Sequence, residues 1–229
     1  MICGALDTSC GLSFAVSDCA RMVIDHRQPP TTDRYTGGLA QTIRDLLLDN
    51  GLHAGRVSRW TVGAGPGSFS GIRVGIALLA GVCQVSAAAL RGVPSSLAVA
   101  ISVADRMETG RTLAVLNDAR QGRLIATVYR KVHDAMIPET PATVIEPNQL
   151  ETALAECTLL VSVQAGIARA RLPESLAKRL VEQASVDPTA LLAAAPWPAT
   201  ERERESSLEP VYVRPPAVAK ASKPSGLGR

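Results

Sequence analysis

The chain has 229 residues, enough for one large domain or two lobes of about 100 residues, each able to bury a core. Hydrophobic residues make up 46% of it but aromatics only 3%, so the core must be built from Ala, Val, Leu and Ile packed through small side chains, which suits helices layered on sheets. With 24 basic and 21 acidic residues, the formal charge of +3 is too balanced to indicate nucleic-acid binding by itself.

Cys3, Cys10, Cys19, Cys83 and Cys157 form no CxxC pair and read as reduced thiols. His26, His53 and His133 stand alone, without HxxxH or HExxH, which argues against a zinc or iron site and against Ser-His-Asp or Cys-His catalysis. No run of 18 apolar residues occurs, and the N terminus enters an apolar segment without a basic region or cleavage site. The expectation is a soluble cytoplasmic protein that makes no membrane contact.

Met1 to Leu6 reads as a short buried strand that ends in the turn Asp7-Thr8-Ser9; Leu12, Phe14 and Val16 then alternate as a second strand, and Arg21 to Asp25 forms a third. Asp7 is either a carboxylate orienting phosphate or magnesium, or a turn former bonding the next amides, and the turn is the favoured reading. Gln28 to Asp33 is a loop. Leu39, Ile43, Leu46 and Leu47 mark a helix with Gln41, Arg44 and Asp45 opposite. Gly37, Gly38 and Ala40 permit close approach of another helix.

Val57 to Val62 is a strand running into the loop Gly63-Ala64-Gly65-Pro66-Gly67-Ser68-Phe69-Ser70-Gly71, where Ser68 or Ser70 caps a helix. Ile72, Ile76, Leu79 and Cys83 give that helix an apolar face, and Gly75, Ala77, Ala80 and Gly81 are small. Arg73 opposes the helix dipole in the first turn and predicts a carboxylate or phosphate beside it. The loop is not a P-loop, since no Lys follows; it misses the GxGxxG spacing, and Phe69 takes the nucleophile position of GxSxG.

The string GPGSFSGIRVG, Gly65 to Gly75, closely resembles the GPGSFTGxRxG signature of the TsaB (YeaZ) family, and the opening strand, Asp-Thr-Ser turn and hairpin resemble the start of the actin-like kinase and Hsp70 superfold. Further along, Ser95-Ser96 caps a third helix through Ile101, and the polar stretch Asp105 to Arg111 places a lobe boundary. Thr112 to Leu116 and Leu124 to Tyr129 are strands around the turn Asn117 to Gly122. Asp118, Ala119, Arg120 and Gly122 resemble the family's Asp-Ala-Arg-x-Gly-Glu-Val-Tyr segment, from which Arg123 and Ile125 depart. A strand, Asp turn and strand at the start of each half suggests an internal duplication.

Ala142 to Ile145 is a strand, Pro147 to Glu156 a short helix and Thr158 to Val163 a buried strand. Asp187-Pro188 caps a small helix through Ala194, and Glu201 to Glu205 is a solvated face. Pro210 to Arg214 resembles the family's closing Pro-Val-Tyr-Leu-Arg. The last fifteen residues hold Lys220, Lys223 and Arg229 without an acid and read as a flexible basic tail.

What the resemblance implies is a two-lobed α/β fold of the actin-like ATPase, acetate kinase and Hsp70 class. It has mixed sheets, flanking helices and an abbreviated second lobe, divided as 1–105, 106–214 and a tail 215–229. It further implies a non-catalytic subunit of the bacterial machinery that places threonylcarbamoyl on adenosine 37 of transfer RNA, pairing with the catalytic paralogue TsaD and with the ATPase TsaE. The chain would touch tRNA only indirectly, and homodimer and monomer both stay open for the chain alone. ATP and a metal would belong to the partners, with no cofactor or metal required here. On this resemblance the partner surface is formed by Leu39, Ile43 and Leu46 of the first helix with Ile72, Arg73, Ile76, Ala77 and Ala80 of the second. Gly65, Pro66, Gly67, Ser68, Phe69 and Gly71 form the signature loop, Asp7, Thr8 and Ser9 a vestigial phosphate turn, and Asp118, Arg120 and Gly122 a second-lobe turn. Asp33-Arg34-Tyr35-Thr36 replaces the family's His-Ser-Glu or His-Thr sequence. The alternatives are a small-molecule kinase using Asp7 and the glycine loop for phosphates and, behind it, a peptidase.

Overall fold

The computed structural model describes residues 1–19, 21–29, 38–194 and 196–213. The loop expected up to Asp33, the departures at Asp33 to Thr36, Gly37, Arg214 and the basic tail 215–229 lie outside the described residues.

Strand β1 (Ile2–Asp7) pairs antiparallel with β2 (Leu12–Asp18), and β2 pairs with β3 (Arg21–Gln28), which runs three residues past its predicted end. Helix α1 (Leu39–Asp49) and a 3₁₀ turn at Ala54–Arg56 lead into β4 (Arg59–Gly63). That turn absorbs Val57 and shifts the strand two residues beyond its expected start. Helix α2 (Phe69–Ser86) then carries the chain to β5 (Ala89–Val93), and β1, β4 and β5 lie parallel in the order β3-β2-β1-β4-β5. Trp60 on β4 lays its ring across Gly4 of β1, where any Cβ would overlap the indole.

After α3 (Ser95–Ile101), the second half repeats the plan with β6 (Thr112–Asp118), β7 (Leu124–Val132), β8 (Ala135–Pro138), β9 (Thr143–Ile145), α4 (Leu150–Ala153), β10 (Cys157–Ser162), α5 (Ala165–Arg171), α6 (Glu174–Ala177) and β11 (Leu180–Glu182). Its sheet runs β11-β10-β6-β7-β8, with β9 also on β7; β6, β10 and β11 are parallel and β6 to β8 antiparallel. The two sheets thus share one strand order, the duplication suggested by the two Asp turns. Helices α7 (Pro188–Ala193) and α8 (Glu201–Ser207) close the described chain.

The result is five layers, α1 and α2 on the first sheet, α3 and α7 between the sheets, and α4 to α6 outside the second. Period-two alternation assigns the residues: Leu6, Phe14, Trp60 and Val62 pack on Leu39, Ile43, Leu47 and Leu79, whereas Ala5 and Val93 face the middle layer. In the second sheet Leu113 and Val115 face inward, and Ala114 and Leu116 meet Leu150, Ala165 and Leu172. The middle helices cross over. Helix α3 packs on β6 and β8 of the second sheet, while α7, from the second half, packs on β1, β2 and β4 of the first.

Candidate functional site

The site is built where β1 ends and α2 begins. Asp7, Thr8 and Ser9 are all buried, and the Asp7 carboxylate accepts from the Ser9 amide at 2.9 Å, the Ser9 hydroxyl at 2.7 Å and the Ser95 hydroxyl. This is the Asx turn read from the sequence, with a third donor that sequence reasoning missed. Ser95 was expected to cap α3, but Pro94 holds the N-cap position and Ser95 turns its hydroxyl to Asp7, while Ser96 bonds the Tyr129 hydroxyl at 2.8 Å. The Ser95 hydroxyl donates to a buried carboxylate while accepting from the Gly65 amide at 3.0 Å, so both of its hydrogen-bonding roles are filled by tertiary partners. Burial pushes the Asp7 carboxyl above its usual range, against the opposing pull of the Ser95 and Ser9 donors. Burial also drives the neighbouring Cys10 thiol up to about 12, with the Asp7 charge adding to it, which leaves an inert thiol rather than a nucleophile.

The signature loop closes over this turn. Its glycines are required by contact: a Cβ on Gly63 would overlap the Asp7 carboxylate, one on Gly71 the Thr8 carbonyl and one on Gly75 the Thr8 hydroxyl. Gly65 has φ +94° and precedes Pro66 through a cis bond. The Ser68 amide donates to the Ser9 carbonyl at 2.7 Å, the Thr8 hydroxyl to the Gly71 carbonyl at 2.7 Å, and the Ser95 and Gly65 backbones bond at 2.7 Å. Of the two serines offered as caps by the sequence, Ser68 caps α2 by accepting from the Gly71 amide at 3.3 Å, and Ser70 lies within the first turn. The space beside Asp7, Thr8 and Ser9 is therefore filled by the protein's own backbone.

Arg73, expected beside a carboxylate or phosphate, lies instead over two rings. Its guanidinium is 3.9 Å from the Phe69 ring centre and 5.5 Å from that of Tyr212, and its Nε donates to the Tyr212 hydroxyl at 2.7 Å. The π faces supply the negative potential that the helix N-terminus does not. Tyr212 arrives on a segment that returns from α8, anchored by the Val211 amide on the Ala64 carbonyl at 2.8 Å and by the Ser207 hydroxyl accepting from the Gly92 amide at 2.9 Å. A strand-like Pro-Val-Tyr gives no local signal for this docking.

Of the residues assigned to the partner surface, Leu39, Ile43 and Ile72 are core residues facing the sheet, Leu46 and Ile76 are half-buried, and Arg73, Ala77 and Ala80 point outward. Helix α2 has 18 residues with mean hydropathy 1.5, long and apolar enough by composition to cross a membrane, although no apolar run of that length interrupts the sequence. Its large apolar side chains from Ile72 to Cys83 are buried or half-buried, and the outer face is made of Phe69, Ser70, Arg73, Ala77, Ala80, Gly81, Gln84 and Val85, the last 90% exposed. Between α1 and α2 lies an apolar cavity of about 190 Å³ lined by Leu47, Leu48, Trp60, Leu78 and Val82 among others.

The second-lobe turn is held separately. The Asp118 carboxylate accepts from the Arg120 amide at 2.6 Å and from Arg171 of α5, and Arg120, Gln121 and Gly122 all have positive φ. Arg123, a departure from the family pattern, pairs with Glu146 at 3.3 Å, and Ile125 sits in β7 opposite Val144. Burial tends to raise the Asp118 carboxyl, but the Arg171 hydrogen bond and charge hold it below the usual range. Among the described residues no three His, Cys, Asp or Glu side chains converge where they could hold a metal.

Comparison with known proteins agrees with the string in the loop. The family model for TsaD, described as tRNA N6-adenosine threonylcarbamoyltransferase, matches residues 31–182. The Escherichia coli K12 protein named tRNA threonylcarbamoyladenosine biosynthesis protein TsaB is 27% identical over 97 residues, which span 42% of this chain and 42% of that protein. The structure of YeaZ from Pseudomonas aeruginosa superposes with a TM-score of 0.67 at 22% identity, covering 84% of this chain and 89% of that one. A second Pseudomonas aeruginosa structure, described as similar to peptidase YEAZ, gives 0.68 at 22% identity over 93% of this chain and 99% of the other. With two thirds of its length matched by that model, the chain belongs to the TsaD family, and its fold is that of the YeaZ structures.

Proposed function

We propose that this chain is a non-catalytic, cytoplasmic subunit of the complex that forms threonylcarbamoyladenosine in tRNA, docking its α1–α2 side on a catalytic TsaD partner and working with TsaE. The observation that carries this reading is the closed turn: the glycines of the signature loop seat backbone directly against Asp7, Thr8 and Ser9, which supports a structural use of that turn over a phosphate-binding one. The hydrogen bonds that Asp7, Thr8, Ser9 and Ser95 make within that closure support a structural role for them. The outer side of α2, with Phe69, Ala77, Ala80, Gly81 and Val85 exposed, supports a role exercised through contact. ATP and any metal are assigned to the partner subunits, and tRNA contact to the assembled complex.

The test is reconstitution with TsaD and TsaE of the same organism, unmodified tRNA and threonylcarbamoyl-adenylate. Modification by TsaD that depends on adding this chain, with none from the chain alone, is the expected result. Turnover by the chain alone would overturn the non-catalytic assignment, and tight Mg-ATP binding by it alone would favour a small-molecule kinase.

A further inference from the structure

Helix α2 carries one charged residue among 18, Arg73, and it stands on the exposed side of the helix with Ala77 and Ala80. Its Nε is used by the Tyr212 hydroxyl and its plane by Phe69 and Tyr212, which are 38% and 41% exposed and lie 5.2 Å apart. Among the described residues no carboxylate pairs with it. The contacts made by Arg73 thus use its Nε and its plane, and its two terminal amino groups have no hydrogen-bond partner among the described residues. An Arg held this way by aromatic rings, followed along the helix by the exposed Ala77 and Ala80, has the composition of an interface anchor rather than of a nucleic-acid surface, where several Lys and Arg would be spread over the same face.

We propose that the Phe69–Arg73–Tyr212 cluster is the anchor of the α2 docking surface and receives a single Asp or Glu side chain projecting from an otherwise apolar, small-residue face of the partner subunit. This rests on the partner reading above and deepens it in two respects. A planar guanidinium fork selects a carboxylate bidentately, where Lys would give only a point charge. And the C-terminal segment around Tyr212, far from α2 in sequence, becomes part of the docking surface through its hold on Arg73. Helix α2 offers no acid of its own, so in a contact between two copies of this chain Arg73 could be answered only from another element, such as Asp45 or Asp49 of α1.

The test is titration calorimetry of the full chain against TsaD of its own organism, with Arg73→Ala, Arg73→Lys and Tyr212→Phe compared with wild type, and with circular dichroism melts confirming that each variant is folded. The proposal expects Arg73→Ala and Arg73→Lys both to weaken binding by roughly tenfold or more, and Tyr212→Phe, which only loosens the fork, by about threefold. Arg73→Glu should abolish binding, and one Asp or Glu of TsaD, changed to Arg, should restore it. If wild type binds and Arg73→Ala binds equally well, the anchor is wrong while the partner reading stands. If Lys substitutes fully for Arg, the bidentate carboxylate is wrong. If wild type does not bind TsaD at all, both fall, and self-association lost on Arg73→Ala would reassign the cluster to a contact between copies.

Discussion

At the scale of the residue, glycine is used here in two different ways that the sequence does not distinguish. Gly71 sits against the Thr8 carbonyl so closely that a methyl group cannot be placed without moving backbone, whereas Gly81, in the same helix, has nothing within 4 Å of where a Cβ would stand. Gly71→Ala should therefore destabilise the protein by about 2 kcal/mol or more, since neither β1 nor α2 can move without opening the core. Gly81→Ala should stabilise it by about 0.5–1 kcal/mol through reduced freedom of the unfolded chain and better helix propensity. Urea unfolding of the two variants beside wild type checks both, and equal effects would mean that the loop does not rest on the turn. Asp118 gives a prediction in pH. Its carboxyl is held low in the folded protein, so its pairing with Arg171 contributes stability above the unfolded value of about 3.9 and loses it as pH falls through the lower folded value. Asp118→Asn should be less stable than wild type at neutral pH, with the difference shrinking in acid; a difference that grows on acidification would contradict the pairing.

At the scale of the element, α7 shows how a short helix is made to hold its place. Asp187 accepts from the Thr189 amide at 2.8 Å and the Ala190 amide at 3.4 Å and pairs with Arg27 of β3 at 3.0 Å, and at the other end the buried Arg91 donates to the carbonyls of Leu191 at 3.4 Å and Leu192 at 3.3 Å. Asp187→Ala should cost about 1 kcal/mol or more, because cap and ion pair go together. Asp187→Asn should keep the cap and lose only a partly exposed pair of about 0–1 kcal/mol. Thermal melts should rank them in that order, and equal losses would assign the effect to the ion pair. The Asp187-Pro188 cap was legible in the sequence because capping is local, and so were β1, β2, the Asx turn and the Ser68 cap of α2. What was not legible is tertiary in origin: β8 and β11 are strands of four and three residues with no periodicity to read, and Ser95 and Ser96 look like caps until Asp7 and Tyr129 are brought beside them. The candidate site divides the same way. The loop announced itself by its string, whereas its partner Tyr212 is 139 residues from Arg73 and is brought there only by the return of the chain after α8.

At the scale of the whole molecule, the crossing of α3 and α7 decides how the two halves relate. Each half lacks one wall of the core that it helps to build. Residues up to α3 leave the inner face of the first sheet, with Ala5 and Val93, without the Ala190 and Leu191 that cover it, and the second half leaves Leu113, Val115 and Tyr129 without Ala98 and Val99. The middle layer is a single apolar cluster drawing on both sheets, tied across by the buried Ser96–Tyr129 bond. Opening it would expose both inner faces at once, so the physical expectation is one cooperative unit rather than two lobes on a hinge. Native-state hydrogen exchange reads this directly, since the amides of β4 in the first sheet and β10 in the second belong to different halves. Both sets should exchange with the same opening free energy, and Val99→Ala, in the shared layer, should lower it for both by about 1–3 kcal/mol. If β10 amides lost protection while those of β4 kept theirs, the second sheet would be opening alone, and the docking surface on α1 and α2 would be carried by a half that folds without the other.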